Sequence, residues 1–153
     1  MARAFIGLGS NLGDRELSLR RAVAALGRLP STEVRRVSRL RETEPVGITE
    51  QPRFLNGAAE LETALDPHEL LEALLEIERG LGRDRGGAPP GGPRTVDLDL
   101  LLYGDTVIAE PGLEVPHPRL AERRFVLEPL TDLDPELEIP AKGRVQALLA
   151  KLR

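Results

Sequence analysis

The spacing of apolar residues predicts three helices. The first has an apolar face at intervals of three and four residues, made of Leu19, Ala22, Val23 and Leu26. Asp14 is placed to be its N-cap and Gly27 to end it. The same intervals predict a second helix over Leu70, Leu74, Ile77 and Leu81, and a last helix over Val145, Leu148, Leu149 and Leu152. A capping sequence, Asp66-Pro67-His68-Glu69, marks the start of the second helix.

Extended segments lie between these helices. The apolar run Ala4–Leu8 predicts a strand that ends in a turn over residues 9–14. Residues 33–42 predict an edge strand, because their apolar positions do not alternate cleanly. Residues 54–63 alternate, which predicts a strand packed on one side. Residues 95–103 predict a further strand, whose even-numbered positions are all apolar.

The predicted order of elements is β-α-β-β-α-β, followed by an irregular tail and a closing helix. This order is typical of an α+β, ferredoxin-like fold, with helices on one face of an antiparallel sheet and here a C-terminal extension. The chain has 153 residues and shows no repeat or compositional boundary, so we expect a single domain over residues 1–153.

Composition narrows the classes of function. The chain has no cysteine and two histidines, so a hard cation such as Mg²⁺ is the favoured metal. Its net charge of -4 and pI near 5.3 argue against a general nucleic-acid binder. It has no signal-peptide pattern and no run of about 18 apolar residues that would cross a bilayer. We therefore expect a cytoplasmic protein with no nucleic-acid or membrane partner, and infer no obligate protein partner.

The strongest chemical signal is the segment Gly92-Pro93-Arg94-Thr95-Val96-Asp97-Leu98-Asp99-Leu100. Residues two apart in a strand project from the same face, so Asp97 and Asp99 present adjacent carboxylates. A cation between them removes their repulsion, and Mg²⁺ is commonly held by carboxylates, water and phosphate oxygens. Three arginines flank the pair: Arg83, Arg85 and Arg94. This combination favours a nucleotide triphosphate; the alternatives are a solvated strand face and a salt-bridge cluster.

Three other features carry weaker signals. His117 lies between two prolines that favour extended backbone. It is therefore a candidate hydrogen-bond donor to a phosphate group, and the alternative is a surface histidine. The glycine-rich run over residues 7–13 is interpreted as a tight strand-to-helix turn, because the β-β order does not fit a dinucleotide site. Asn56 can read the edge of a heterocycle that Phe54 and Phe125 enclose, while core packing is the alternative for both rings.

Five segments, taken in order, resemble the 6-hydroxymethyl-7,8-dihydropterin pyrophosphokinase family. They are residues 9–12, 43–47, 54–56, 92–100 and 115–117. The pattern G-P-R-x-x-D-L-D within residues 92–99 is highly specific to that family, and the resemblance covers essentially the whole chain. It implies a ferredoxin-like fold, two Mg²⁺ ions, and attack of the pterin hydroxymethyl oxygen on the β-phosphorus of ATP with release of AMP, a step of folate biosynthesis.

The resemblance also implies roles for the matching residues. Asp97 and Asp99 would ligate the metals, and Asp97 would face the pterin hydroxymethyl group. The residues implied to contact phosphates are Arg83, Arg85, Arg94, His117 and Arg123; all but Arg123 are expected to be catalytic, together with the two acids. Glu78 would help hold the nucleotide, and Leu100 would lie near the adenine. The pterin would be stacked by Phe54 and Phe125 and read by Asn56, Thr43, Glu44, Pro45 and Val46.

The chain departs from the family at residues 86–91, where members commonly place basic residues and a tryptophan. Leu75 likewise stands where some relatives have a polar nucleotide contact. Two other functions are therefore kept as alternatives. A non-catalytic ferredoxin-like ligand-binding domain predicts no ATP turnover. Another two-metal phosphoryl-transfer enzyme predicts activity without a pterin and leaves Asn56 and the two rings unexplained.

Overall fold

An antiparallel sheet of five strands forms the centre of the computed structural model, which describes residues 1–44, 50–82 and 95–152. The strands are β1 (Ala2–Ser10), β2 (Thr32–Val37), β3 (Arg41–Thr43), β4 (Phe54–Thr63) and β5 (Asp97–Tyr103). They lie in the order β2-β4-β1-β5, and β3 pairs with β4 next to β2. The predicted edge strand over residues 33–42 is thus two short strands, β2 and β3, on one side of β4.

Two helices lie between these strands in the chain. α1 (Arg15–Gly27) follows β1, and α2 (Pro67–Leu81) follows β4. The Asp14 side chain accepts a hydrogen bond from the Leu17 N–H, as the sequence predicted for a cap. Asp66 and Glu69 form the predicted capping box at the start of α2. The element order and the strand order together confirm the ferredoxin-like α+β fold.

The first face of the sheet packs against α1 and α2. Its side chains include Ile6, Ala59 and Leu98, which are buried together with the apolar faces of both helices. The helix residues buried there are Leu19, Ala22, Leu26, Leu70 and Leu74. Full burial of one such leucine contributes about 1.5–3 kcal/mol, so this layer contributes strongly to the stability of the sheet.

The second face of the sheet is covered in part by the C-terminal extension. A 3₁₀ turn (Leu120–Glu122), α3 (Arg124–Leu133) and α4 (Val145–Ala150) pack with Phe5, Ala58 and Leu101. The predicted C-terminal extension, expected to be an irregular tail and a closing helix, therefore contains one more helix, α3, and packs on this face. The prediction that β4 packs on one side is wrong, since Ala58 is fully buried on the second face.

Two short hairpins complete the described structure. The first pairs β6 (Ile108–Glu110) with β7 (Leu113–Val115), and the second pairs β8 (Glu138–Ile139) with β9 (Gly143–Arg144). β7 packs beside the first-face core through the buried Leu113 and Val115. Within the described ranges, no helix combines the length and the apolar composition needed to cross a membrane.

Two details of the strands differ from the sequence prediction. β1 continues to Ser10, so Gly7 and Gly9 lie inside the strand rather than in a turn. Leu102 packs with the second-face cluster, whereas strand alternation predicts that it shares a face with the other even-numbered residues Leu98 and Leu100. A register shift between Phe5 and Ile6 in the β1–β5 pairing changes the alternation there.

A buried carboxylate joins three strands on the second face. Glu60 of β4 accepts hydrogen bonds from Arg3 of β1 at 2.7 Å and from Arg36 of β2 at 3.0 Å. Burial raises the pKa of Glu60, but the two guanidinium groups outweigh burial and hold the pKa below its ordinary value. Arg3 also reaches Asp134, just after α3, at 3.0 Å, so the network links the sheet to the C-terminal extension.

Candidate active site

Two rows of paired residues cross the second face of the sheet. In the first row, Gly9 of β1 lies between Asn56 of β4 and Asp97 of β5. In the second row, Gly7 lies between Ala58 and Asp99. Paired residues of antiparallel strands share a face, so Asn56 and both acids project from the second face. Because Gly7 and Gly9 have no side chains, nothing projects from β1 between the β4 residue and the β5 acid of each row.

The acid pair lines a cleft of about 360 Å³ beside strand β5. Its wall is formed by residues of α2, β5, β7 and the segment after β7, and it includes four further residues singled out from the sequence: Glu78, Leu100, His117 and Leu75. Asp97 and Asp99 are half-buried at this cleft. A half-buried position leaves both carboxylates accessible to a ligand while limiting their contact with bulk water.

Glu78 fixes the backbone between the two acids. Its side chain is buried at the inner face of α2, and its Oε2 accepts the Leu98 N–H at 2.7 Å. β5 is the last strand of the sheet, so Glu78 provides a partner to a backbone group on the edge of β5. Leu98 separates Asp97 from Asp99, so this hydrogen bond holds the segment that carries both carboxylates.

His117 is held next to the acid pair by two backbone contacts. Its N–H donates to the Leu101 carbonyl at 2.9 Å, and its Nδ1 accepts the Arg119 N–H at 3.2 Å. Burial lowers the pKa of His117, and the nearby Arg123 lowers it further, while Glu114 and Asp97 act in the opposite direction. The imidazole is therefore neutral near pH 7 and carries its proton on Nε2, which makes it an uncharged donor.

A second group of predicted residues lies on β3 and β4. Thr43 pairs with Phe54, and the Asn56 side-chain amide donates to the Thr43 hydroxyl. Asn56 is 8% exposed, so its carboxamide is fixed rather than free to rotate in solvent. Glu44 is exposed and forms an ion pair with Arg53 at 2.9 Å. Phe54 is half-buried at the start of β4.

The other predicted residues fall in two groups. Arg123 directly precedes α3, and its guanidinium lies 5.5 Å from the ring centre of Phe125, inside that helix. Phe125, Phe54 and Asn56 are not among the described residues that line the acid cleft. The remaining predicted residues lie outside the described part of the chain; they are Pro45, Val46, Arg83, Arg85 and Arg94.

Sequence reasoning missed a set of contacts that hold the start of β4. Asn11, which is 1% exposed, donates to the Gln51 side chain at 2.8 Å and to the Pro52 carbonyl at 3.0 Å. Arg15 donates to the Arg53 carbonyl at 2.9 Å. Asn11 belongs to a segment that carried the resemblance, but its partners are 40 residues away or more and have no motif of their own.

The donor chemistry at the cleft fits a hard divalent cation. Among residues 1–44, 50–82 and 95–152, no group of three or more acidic or histidine side chains could hold a metal ion. Two neighbouring carboxylates are nonetheless a suitable set for Mg²⁺, which usually keeps several waters and completes its shell with substrate phosphate oxygens. Asp97 and Asp99 are the residues that would hold it.

The fold and the cleft define a ferredoxin-like α+β protein with paired acids on one sheet face. Residues 5–135 match the family described as 7,8-dihydro-6-hydroxymethylpterin-pyrophosphokinase (HPPK). The chain belongs to this family.

Curated relatives agree with this assignment, and a solved structure shares the fold. The chain is 50% identical over 135 residues to the 2-amino-4-hydroxy-6-hydroxymethyldihydropteridine pyrophosphokinase of Bacillus subtilis, covering 88% of this chain and 80% of the relative. It is 44% identical over 150 residues to the protein of that name from Pseudomonas aeruginosa, covering 97% and 90%. The wild-type Plasmodium falciparum HPPK-DHPS, solved with pterin and p-hydroxybenzoate, has the same fold, with a TM-score of 0.73 at 16% identity. The likeness covers 98% of this chain and 41% of that one, so this chain spans less than half of the solved protein.

Proposed function

We propose that this chain transfers a pyrophosphoryl group from ATP to the hydroxymethyl group of 6-hydroxymethyl-7,8-dihydropterin in folate biosynthesis, with release of AMP. Membership of the family and the names of its relatives support the reaction. The structural observation that carries the proposal is the row in which Gly9 separates the Asn56 amide from the Asp97 carboxylate. This row puts a group suited to a heterocycle edge beside one suited to a metal–phosphate site.

In this proposal the pterin lies on the Asn56 side of the row. Thr43, Glu44, Pro45, Val46 and Asn56 read its edge, and Phe54 and Phe125 stack on its ring. One Asn56 amide N–H is already donated to Thr43, which leaves the carboxamide oxygen to accept an N–H of the ring and the second N–H to donate to a ring acceptor. The hydroxymethyl group then points along the row toward Asp97. A fixed side chain loses little conformational entropy when it binds, so the geometry of Asn56 favours recognition.

The nucleotide lies along the acid cleft. Asp97 and Asp99 would hold two Mg²⁺ ions, and bound Mg²⁺ offsets phosphate charge and lowers the pKa of the attacking hydroxyl. The Nε2–H of His117 donates to a phosphate oxygen, and Arg83, Arg85, Arg94 and Arg123 supply positive charge. Glu78 acts through the Leu98 backbone, and Leu100 contacts the adenine.

The reaction balances without a dedicated general base. The hydroxymethyl oxygen forms a bond to the β-phosphorus, and the bond from that phosphorus to the oxygen it shares with the α-phosphorus breaks. AMP leaves with the electron pair of that bond, and the hydroxyl proton passes to solvent. Alignment of the attacking oxygen and stabilisation of the leaving charge are what the protein contributes. The single-domain organisation and the cytoplasmic location stay predictions of the sequence.

The direct test is to incubate the protein with ATP, Mg²⁺ and hydroxymethyldihydropterin and to separate the nucleotides. We expect AMP in an amount equal to the pterin diphosphate, and no AMP when the pterin is left out. Formation of ADP, or no product, would overturn the proposal. Pterin-independent AMP or phosphate release would instead favour another two-metal phosphoryl-transfer enzyme.

A further inference from the structure

Gly9 lies at the centre of the first row, where the structure has no room for a side chain. A Cβ atom built on Gly9 would lie 2.9 Å from the Asn56 Oδ1, closer than real Cβ contacts. It would also lie 3.8 Å from the Asp97 Cβ and 3.8 Å from the Phe54 Cδ1. The space that a side chain of residue 9 would fill is therefore occupied by the carboxamide oxygen of Asn56.

Asn56 cannot easily give way to such a side chain. Its carboxamide is buried, and its amide nitrogen donates to Thr43 across the β3–β4 pairing. Rotation of the carboxamide by a few tens of degrees would break this hydrogen bond and leave a buried polar group without its partner. A side chain on residue 9 would therefore displace the Asn56 Oδ1, which lies against Gly9 on the strand between Asn56 and Asp97.

Gly7 is different, although it lies two residues away on the same face of the same strand. A Cβ atom there would meet two Leu101 methyl carbons at 3.5 Å and the Asp99 Cβ at 3.6 Å, which are ordinary van der Waals contacts. Gly7 therefore has room for one methyl group. Of the two glycines of β1, only Gly9, in the row that joins Asn56 to Asp97, has no room for a Cβ atom.

We propose that Gly9 is a positioning residue for pterin recognition: the absence of its side chain lets the Asn56 carboxamide extend across β1 beside Asp97. This inference rests on the proposed function. It adds that residue 9 controls the affinity for the pterin through the orientation of Asn56 while leaving the affinity for the nucleotide unchanged. The ligand class it selects is a planar heterocycle with an N–H at its edge and a hydroxymethyl group next to it.

The test compares Gly9→Ala with Gly7→Ala, which is the matched control. Pterin binding is measured by calorimetry with a non-hydrolysable ATP analogue and Mg²⁺ present, and binding of the analogue is measured separately. We expect Gly9→Ala to weaken pterin binding at least tenfold and to change analogue binding less than twofold. Gly7→Ala should change neither by more than twofold. Circular dichroism melting checks that both variants fold.

The variant Asn56→Ala separates positioning of Asn56 from a direct steric effect on the pterin. In that background the carboxamide is absent, so adding Gly9→Ala should cause less than a twofold further loss of pterin binding. An additive tenfold loss, or wild-type binding by Gly9→Ala, would overturn the inference. If the wild-type chain bound no pterin, the proposed function itself would fail, and the two failures are thereby distinguished.

Discussion

Arg41 of β3 and Asp132 of α3 are joined by two parallel hydrogen bonds, with lengths of 2.8 and 2.9 Å. Both side chains are about three-quarters buried, at 24% and 22% exposure. Arg41 pairs with Asn56 in the sheet, and Asp132 lies in the helix that carries Phe125. This ion pair therefore connects the two elements that are proposed to enclose the pterin.

Loss of this ion pair should lower stability and pterin affinity together. We expect Asp132→Asn to reduce the free energy of unfolding by about 1 kcal/mol, because bidentate geometry and partial burial put the pair at the upper end of the usual range. The KM for the pterin should rise more than the KM for ATP. Glu128→Gln is the matched control, because it breaks the more exposed Arg124–Glu128 pair within the same helix. Urea titration and steady-state kinetics would show an equal effect of both variants if the proposed link is absent.

The same pair predicts how stability depends on pH. The hydrogen bond from Arg41 holds the pKa of Asp132 below its ordinary value. A lowered carboxyl pKa gives stability that is present above the unfolded-state pKa and is lost as pH falls through the folded-state value. The difference in unfolding free energy between wild type and Asp132→Asn should therefore be constant near neutral pH and shrink below about pH 4. A difference that grew on acidification would contradict this assignment.

Replacement of either acid of the cleft should abolish turnover without loss of the fold. Asp97→Asn and Asp99→Asn each keep the shape of the side chain and remove its charge, so we expect AMP formation to fall by at least ~10²-fold. Asp105→Asn, in the turn after β5, removes an exposed carboxylate and serves as the control. Near-normal rates in either cleft variant would remove that residue from the metal site.

Glu78 should act through the backbone rather than by contact with the reacting atoms. Glu78→Ala leaves the buried Leu98 N–H without its acceptor and should cost about 1–3 kcal/mol of stability. We expect kcat to fall more than the affinity for ATP, because the acids are displaced and not removed. Glu78→Gln keeps an oxygen acceptor and should restore most of kcat. A Gln variant as inactive as the Ala variant would indicate that the charge itself is required.

His117 should remain uncharged throughout the physiological range. Burial holds the pKa of His117 below its ordinary value, so the neutral Nε2–H donor persists near pH 7. An NMR titration of labelled histidine should show a pKa for His117 that is lower than that of free imidazole. His117→Gln, which retains an N–H donor, should keep more activity than His117→Ala. Equal loss in both variants would exclude a donor role.

The sequence predicted the elements whose signals are local. The Asp14 cap and the capping box of Asp66 and Glu69 form as expected, because each depends on residues within one turn. α3 was not predicted, since Pro129 lies inside it and Arg123 makes no side-chain cap. Its apolar residues Val126, Leu130 and Leu133 do have helical spacing, and Leu127 and Leu130 pack against the sheet.

In the site, too, local relationships were predictable from the sequence and long-range ones were not. The common face of Asp97 and Asp99 followed from strand alternation alone. The position of Asn56 relative to Asp97 required the register of three strands, with Gly9 between them. The glycine run was interpreted as a strand-to-helix turn once a dinucleotide site was set aside, whereas β1 needs Gly9 for the close approach of a neighbouring side chain. Long-range contacts such as Arg41 with Asp132 leave no trace in sequence spacing.

The hydrogen bond between Glu78 and Leu98 has one more consequence, which concerns association between chains. An outermost strand with unsatisfied amide groups is a template on which another polypeptide can add a strand. β5 is outermost in this sheet, and the apolar residues 100–102 at its centre would favour such addition. The α2 carboxylate occupies the Leu98 amide and the His117 N–H occupies the Leu101 carbonyl, so both contacts remove backbone groups with which an added strand would pair.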